Sequence, residues 1–262
     1  MNAFGLHPRE MRELIRRGEW TGPTVGCSDG YVQANLVVLP QRLAGDFLLF
    51  CERNPGPCPL LEATRPGEFE PIDTAPGADL RTDLPRYRIY EGGSLQAEVG
   101  SLLSIWNEDL VAFLLGCSFT FDGLLAKAGI PVRHREEGRN VSMYVTSRAC
   151  APAGPFTGPL VVSMRPIPAP LVARATEITA KLPLAHGAPV HVGDPHAIGI
   201  ADLNRPDFGD SVTVAPGEVP VFWACGVTPQ AVAMQAKPPL MISHAPGHMF
   251  VTDLRDEALA VY

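Results

Sequence analysis

The chain has 262 residues, of which 46% are hydrophobic and 19% charged, a composition that argues against disorder of the whole chain and leaves ample material for a buried core. Its 21 Lys and Arg against 28 Asp and Glu give a net charge of -7, which disfavours binding to nucleic acid. The 25 glycines and 27 prolines follow no collagen-like period, so they predict frequent tight turns.

The N-terminal segment and the six cysteines bear on the cellular compartment. Charged residues occupy the positions where a secretion signal needs an apolar stretch, and no apolar run is long enough to cross a membrane. We therefore expect a cytoplasmic protein with reduced thiols. Cys51 and Cys58 flank Asn-Pro-Gly-Pro, which is typical of a turn, and no cysteine pair has the spacing of a zinc knuckle.

The first third of the chain alternates apolar and polar stretches. The spacing of apolar residues predicts an amphipathic helix over 8–17. Apolar runs of strand length predict buried strands over 30–40 and 46–51. Residues 54–86 are rich in Pro, Gly, Asp and Glu, so we expect a surface excursion, and a strand is predicted over 86–90.

Two helices are predicted next. Asn107 is a good N-cap for a helix that includes the apolar residues 110–116, and this helix should be buried on most sides. A second helix is predicted over 122–131. A tight turn containing Cys117 and Ser118 would join them.

A ββαβ pattern follows in residues 132–195. Its predicted members are strands over 140–146 and 158–164, a helix that begins at Pro170, and a strand over 189–193. Such a unit forms a two-layer α+β lobe. We expect it to interrupt a larger lobe made of residues 1–131 and 196–262.

Beyond residue 195 the alternation of apolar and polar stretches resumes. The apolar stretches lie at 198–203, 211–214, 219–224, 240–244 and 248–254. The clearest unit is a strand at 219–224 followed by a helix, with Thr228 as N-cap and Pro229 in the first turn. A helix start directly after a buried strand can bind an anion, in which case Cys225, Gly226 and Thr228 would face the ligand. The alternative is an ordinary capped helix with a structural cysteine.

Two other segments could bind anions. Arg133, His134, Arg135 and Arg139 could hold one small carboxylate or phosphate, or could form a solvated loop. The sequence Gly-Cys-Ser-Phe at 116–119 lacks the second glycine of a serine-hydrolase elbow. Its small polar residues could still stabilise an oxyanion, or could simply allow two helices to pack.

Histidines and carboxylates are concentrated late in the chain, which supplies candidates for acid–base catalysis. They are His186, His191, Asp194, His196, Asp202, Asp207, Asp210, His244, His248 and Asp253. Gly193 and Pro195 prevent a helical pair of histidine ligands, and the Pro-Gly between His244 and His248 forces a turn. Each histidine could instead be a turn or core side chain bonded to the backbone.

Several segments together resemble the D-glutamate cyclase family, whose bacterial members are described as hydro-lyases. They are GYVQANLVVLP, CERNPGPCPLLEAT, GCSFTFDGLLAKAGIPVRH, NVSMYVT, FTGPLVVSMRP, HGAPVHVGDP, IGIADLNRPDFGD, PVFWACGVTPQ and SHAPGHMFVTDL. The resemblance implies an α/β fold with a larger three-layer α/β/α lobe, built on a mixed sheet, and a smaller inserted two-layer lobe. It also implies reversible dehydration of D-glutamate, or a similar small acid, to 5-oxo-D-proline.

Ring closure within one molecule needs positioning more than it needs a cofactor, so none is expected. The expected catalytic residues are one of His191, His196, His244 or His248 for proton transfer, oriented by Asp194 or Asp207, and Cys117 and Ser118 for the oxyanion. The expected substrate-binding residues are Arg133, Arg135, Asn140, Cys225, Gly226 and Thr228.

Two other functions remain open at this point. One is a metal-dependent hydrolase that uses the late histidines and aspartates, and the other is a non-catalytic protein that binds small anions. In each case we expect a small-molecule ligand, no nucleic acid or membrane partner, and the possibility of a homo-oligomer.

Overall fold

The computed structural model describes residues 5–261, apart from the side chains of residues 233 and 234. The α-helices are α1 (Pro8–Arg16), α2 (Gln41–Arg53), α3 (Phe119–Lys127), α4 (Arg133–Glu136), α5 (Val172–Ala180) and α6 (Thr228–Ala236). The strands are β1 (Tyr31–Pro40), β2 (Leu60–Ala63), β3 (Tyr87–Glu91), β4 (Ser94–Val99), β5 (Leu110–Gly116), β6 (Ser142–Ala149), β7 (Pro159–Pro168), β8 (His191–Val192), β9 (Glu218–Ala224), β10 (Met241–His244) and β11 (Phe250–Arg255). The predicted α/β class is confirmed.

The first sheet is centred on β1. Its order is β2-β5-β1-β10-β3-β4, and β11 pairs with the N-terminal half of β1 beside β10. The described strand pairs in both sheets are antiparallel, where a mixed sheet was expected. β1 and β5 are buried along nearly their whole length, because both faces of this sheet are covered.

The two faces of the first sheet carry separate cores. Successive residues of a strand point to opposite faces, so Val37 faces one core and Val38 the other. On the Val37 side Phe47 of α2 lies in the core, with its ring centre 5.2 Å from that of Phe156 in the segment between β6 and β7. The other face is covered by the segment between β2 and β3, including the buried residues Leu80 and Leu84.

The second sheet has the order β6-β7-β9-β8. β6, β7, α5 and β8 follow one another as the ββαβ prediction requires. However, β9 lies between β7 and β8, so this sheet takes a strand from beyond residue 195. The unit formed by residues 132–195 thus shares its sheet with the C-terminal part of the chain. The division into an inserted lobe of 132–195 and a main lobe of 1–131 and 196–262 stays a prediction.

Several predictions about local structure were wrong. Residues 46–51 belong to a helix, α2, and residues 110–116 form a strand, β5. The segment 54–86 contains β2 and completely buried residues, and so is no simple surface excursion. The apolar stretches 198–203 and 211–214 form no strand, although Ile198, Ile200 and Val212 are buried beside the second sheet.

The remaining predicted helices and strands are present with shifts of a few residues at their ends. A strand that was not predicted, β4, pairs with β3 at the edge of the first sheet. Within residues 5–261, no helix has both the length and the apolar character that crossing a membrane requires.

Candidate active site

A completely buried arginine lies at the centre of the site. Ser163 and Arg165 are two residues apart on β7 and therefore point to the same face of the strand. Arg165 Nη1 donates to Ser163 Oγ at 2.6 Å, and Nη2 donates to Ser118 Oγ at 3.0 Å. The guanidinium carbon lies 4.8 Å from the ring centre of Phe121 and 5.6 Å from that of Trp223. These contacts fix the guanidinium group in one orientation.

Asp122 balances the charge of Arg165. The two carboxylate oxygens accept hydrogen bonds of 3.0 and 3.1 Å from Nε and Nη2 of Arg165, and both residues are buried. Burial by itself raises the pKa of Asp122, but the charges of Arg165 and His134 outweigh burial and hold that pKa well below its usual range. Asp122 is therefore ionised at neutral pH.

His134 extends this pair toward solvent. Its Nε2 atom lies 3.2 Å from Oδ2 of Asp122, although the alignment does not meet the geometry of a hydrogen bond. Such contacts are often poorly aligned before a substrate binds. His134 is only 2% exposed, yet it is one of the residues that line a cavity. Arg165, Asp122 and His134 thus form a chain of charged and polar groups from the core to a cavity wall.

The cavity has a volume of about 390 Å³, within the range of small-molecule sites. It is lined by Pro23, Val25, Gly26, His134, Arg135, Gly138, Arg139, Asn140, Asp210 and Gly247. Two guanidinium groups and one amide therefore share this space with the buried histidine, which makes the cavity suited to a small carboxylate.

The four residues of the basic cluster have different partners. Arg133 points away from the cavity wall and forms an ion pair with Glu218. Arg135 lines the cavity, and its side chain has no hydrogen bond or ion pair with any described residue. Arg139 donates to the carbonyl oxygen of Ser211, forms an ion pair with Glu137 at 3.6 Å, and also lines the cavity. Of the predicted clamps, Arg135 is therefore the one available to a ligand.

Asn140 lies where a substrate-binding residue was expected. It lines the cavity, its backbone N–H donates to Asp210 Oδ2 at 2.9 Å, and its side-chain Oδ1 accepts from the N–H of Val141 at 2.9 Å. The side-chain N–H₂ group donates to no described residue. That amide can therefore donate to a carboxylate oxygen in the cavity.

A wider groove of about 810 Å³ lies elsewhere, between α3, α5 and the C-terminal segment. Its wall is formed by aliphatic residues such as Ile178 and by surface charges such as Arg174 and Glu177. It contains none of the buried charged groups described above. The smaller cavity beside His134 is therefore the better candidate for chemistry.

Cys117 and Ser118 follow β5 and lie beneath the site, at the start of α3. Ser118 is bonded to Arg165, whereas the thiol of Cys117 is buried. Burial raises the pKa of Cys117 to about 12 and that of Cys225 to about 11. Both thiols are therefore protonated at neutral pH, which does not suit a nucleophile.

At the start of α6, where an anion site was predicted, Thr228 is bonded within the protein. Thr228 Oγ1 donates to the carbonyl oxygen of Cys225 at 2.7 Å and accepts from the N–H of Val161 at 3.2 Å. A Cβ atom at Gly226 would clash with the side chain of Asn35, so glycine is required there for packing. Cys225, Gly226 and Thr228 line neither the cavity beside His134 nor the small cavity next to it.

The late histidines are not brought together. His191 Nε2, at the start of β8, lies 2.7 Å from the carbonyl oxygen of Asp194, and the Asp194 carboxylate accepts from the N–H of His196 in the 3₁₀ turn that follows. Asp207 Oδ2 accepts from the N–H of Val145 at 2.8 Å. These four residues lie outside the cavity wall, and their acid–base roles stay predictions.

His244 and His248 lie near the end of the chain. The Nδ1 atom of His244 accepts from the N–H of Leu36 at 3.2 Å, and burial lowers the pKa of His244 to about 4. His248 is half-buried, with Nδ1 2.9 Å from the carbonyl oxygen of Pro246. Among residues 5–261, no three His, Cys, Asp or Glu side chains form a group that could hold a metal ion, so the metal-dependent alternative lacks a described ligand set.

Sequence reasoning missed Asp122 and Arg165. Each is a single charge within a segment that is otherwise mostly apolar, FTFDGLL and PLVVSMRPIP. A charged residue in such a segment is seldom buried without a partner. That signal could have identified both residues, although not the fact that they pair.

Comparisons with known proteins agree on one family. The family model for D-glutamate cyclase matches residues 111–253. A "Putative hydro-lyase" of Stutzerimonas stutzeri is 62% identical over 98% of this chain and 97% of its own length. One from Rubrobacter xylanophilus is 64% identical over 94% of this chain and 95% of its own, and one from Bacillus subtilis is 58% identical over 98% and 100%. The chain belongs to the D-glutamate cyclase family.

Proposed function

We propose that this protein is a hydro-lyase that reversibly dehydrates D-glutamate to 5-oxo-D-proline. The observation that carries the proposal is the buried chain of Arg165, Asp122 and His134, which ends at a cavity that two further guanidinium groups line. Family membership and the names of the relatives support the reaction class. We further propose that it acts in the cytoplasm on this small carboxylate.

Recognition of the substrate would depend on Arg135, Arg139 and Asn140. A dicarboxylate such as glutamate needs at least one cationic partner for each carboxylate in a partly desolvated site. Arg135 has no described protein partner and can form a bidentate pair with one carboxylate. Arg139 and the amide of Asn140 can hold the other.

The reaction is balanced in protons. The amine nitrogen forms a bond to the side-chain carboxyl carbon, a carbon–oxygen bond breaks, and one water leaves. The ammonium group loses two protons and the departing oxygen gains two, so no external acid, oxidant or reductant is required. Because amine and acyl carbon belong to one molecule, positioning supplies much of the rate enhancement without a cofactor.

His134 is the proposed proton donor to the departing oxygen. Its Nε2 atom faces Asp122, so Nδ1 is the nitrogen available to a substrate. Asp122 stabilises the protonated imidazole and fixes its orientation. Arg165 keeps Asp122 ionised, and it is therefore a positioning residue that acts through Asp122.

The test is to incubate the purified protein with D-glutamate, L-glutamate and both enantiomers of 5-oxoproline, and to follow interconversion by proton NMR. Conversion of the D pair is expected, and 5-oxo-D-proline in ¹⁸O-water should yield glutamate with one label in the side-chain carboxylate. Absence of interconversion for all four compounds would contradict the proposal. Binding of D-glutamate without turnover would favour the small-anion binding protein instead.

A further inference from the structure

A second, much smaller cavity adjoins the first. Its volume is about 30 Å³, room for one group of the size of a water molecule. Both cavities have Val25, Gly26 and Arg135 in their walls. A ligand whose carboxylate binds Arg135 could therefore place one small substituent in the second cavity.

Two polar atoms in this small cavity have no partner. Ser28 Oγ and Asp256 Oδ1 are buried without a hydrogen bond to any described residue, and their side chains are 1% and 7% exposed. Both residues line the cavity. A buried acceptor without a donor is costly in a folded protein, so this cavity is suited to a ligand that donates hydrogen bonds.

The charge of the cavity specifies the donor. Asp29, Asp122 and Asp256 line it, and Asp122 is already paired with Arg165. Asp29 and Asp256 form no ion pair with any described residue. Among the described residues of the cavity wall, Arg135 is the one basic side chain. The unpaired acceptors favour a small cationic donor over a neutral one.

We propose that the small cavity binds the α-ammonium group of an amino-acid substrate and that Asp256 is the catalytic base that deprotonates it. This inference rests on the proposed function, because it requires a substrate that carries an amine beside a carboxylate. The carboxylate next to the amine would bind Arg135 in the shared wall. The side-chain carboxylate would then extend into the larger cavity, toward His134.

The environment of Asp256 suits a base at neutral pH. The pKa of Asp256 is raised to about 7, mainly by burial and also by the neighbouring charges of Glu257 and Asp29, while Lys127 and Arg255 act in the opposite direction. A general base works best when its pKa is near the operating pH. The α-amine is a nucleophile only after it loses a proton.

Asp256 and His134 together account for every proton. Ionised Asp256 accepts the first proton of the ammonium group, and the amine then attacks the side-chain carboxyl carbon. Protonated His134 donates to the departing oxygen, accepts the second amine proton, and donates again as water leaves. One proton has then moved from His134 to Asp256, and exchange with solvent restores both groups.

The test compares D-glutamate with glutarate, which has both carboxylates but no amine. D256N should lower kcat/KM for D-glutamate by about 100-fold or more, the usual contribution of a general base. The inhibition constant of glutarate should change by less than about threefold, because its carboxylates bind elsewhere. S28A should also lower kcat/KM for D-glutamate while leaving the inhibition constant of glutarate nearly unchanged. Because S28A retains the carboxylate of Asp256, it provides a second test if D256N folds poorly.

E257Q is the matched control on the same turn. Glu257 raises the pKa of Asp256, so its neutralisation should move the acidic limb of the kcat/KM profile to lower pH and leave the plateau unchanged. The inference is overturned if the wild type converts D-glutamate and D256N has the same kcat/KM as the wild type. It is also overturned if D256N weakens the binding of glutarate as much as it lowers kcat/KM for D-glutamate, or if E257Q does not shift the acidic limb of the pH profile. Absence of turnover in the wild type would instead refute the proposed function.

Discussion

Arg165 and Asp122 face each other across 43 residues of sequence, with Nε–Oδ1 and Nη2–Oδ2 distances of 3.0 and 3.1 Å and with both side chains buried. Removal of one member of such a pair leaves an uncompensated buried charge. R165M should therefore lower the free energy of unfolding by about 3–5 kcal/mol, which urea denaturation can measure.

The double variant D122L/R165M should lose less stability than the sum of the two single variants, because neither charge is left alone. Arg174 and Glu177 provide a comparison, since they form an exposed ion pair. R174M should change stability by less than about 1 kcal/mol. If R165M were no more destabilising than R174M, the interpretation of the buried pair would be wrong.

Replacement of His134 should separate activity from stability. H134Q should reduce kcat by about 100-fold or more, because general acid–base catalysis commonly contributes that much. Steady-state kinetics by NMR would measure the loss, and a thermal melt would check the fold.

His196 supplies the comparison for this variant. It is exposed on a 3₁₀ turn outside the cavity wall, so H196Q should retain activity within about twofold. The reverse result, with H196Q inactive and H134Q active, would support the earlier assignment of proton transfer to the late histidines.

Arg135 should determine substrate affinity. R135Q should raise KM by about 10- to 100-fold with a smaller change in kcat, because a hydrogen bond to a charged group contributes about 1.5–3 kcal/mol. R135K should restore only part of the affinity, since an ammonium group cannot bind a carboxylate in bidentate fashion. R174Q, on the groove between α3 and α5, is the control. Equal KM values for R135Q and R174Q would exclude Arg135 from the site.

The local fold was predictable from the sequence where the pattern of apolar residues is compatible with only one type of secondary structure. Residues 110–116 are apolar at every position, a pattern shared by a buried helix and a strand covered on both faces. Asn107 favoured the helix because it is a good N-cap, but in the structure the segment pairs with β1 along seven residues and is therefore a strand. In α2 the buried residues Phe47, Phe50 and Cys51 have helical spacing, which the short run 46–51 obscured.

The site was predictable only in part, for a physical reason. His134, Arg135 and Arg139 are close in sequence, so their clustering is visible as a basic motif. Asp122 and Arg165 come from α3 and β7, and only the packing of these elements brings them together. Chemistry that depends on contacts between distant segments leaves no fixed spacing in one sequence.

Asp256 should make stability depend on pH. Its pKa is raised to about 7 in the folded protein. In the unfolded chain an aspartate has a pKa of about 3.9. The folded state therefore binds the proton more tightly, so the free energy of unfolding falls as the pH rises from about 4 to about 7 and is constant above that window. The total fall attributable to this residue is about 4 kcal/mol, at roughly 1.4 kcal/mol for each pH unit of difference.

Asparagine at this position cannot ionise, so D256N should escape that loss. Urea denaturation would measure this effect. At pH 5 the free energies of unfolding of D256N and wild type should differ little, whereas at pH 8 D256N should be more stable by a few kcal/mol. E177Q, which removes an exposed carboxylate, should show the same difference from wild type at both values. A constant offset between D256N and wild type would mean that Asp256 titrates normally. An offset that increases with pH would mean that the ionised carboxylate of Asp256 destabilises the folded protein. A destabilising group at a cavity is expected where catalysis requires it.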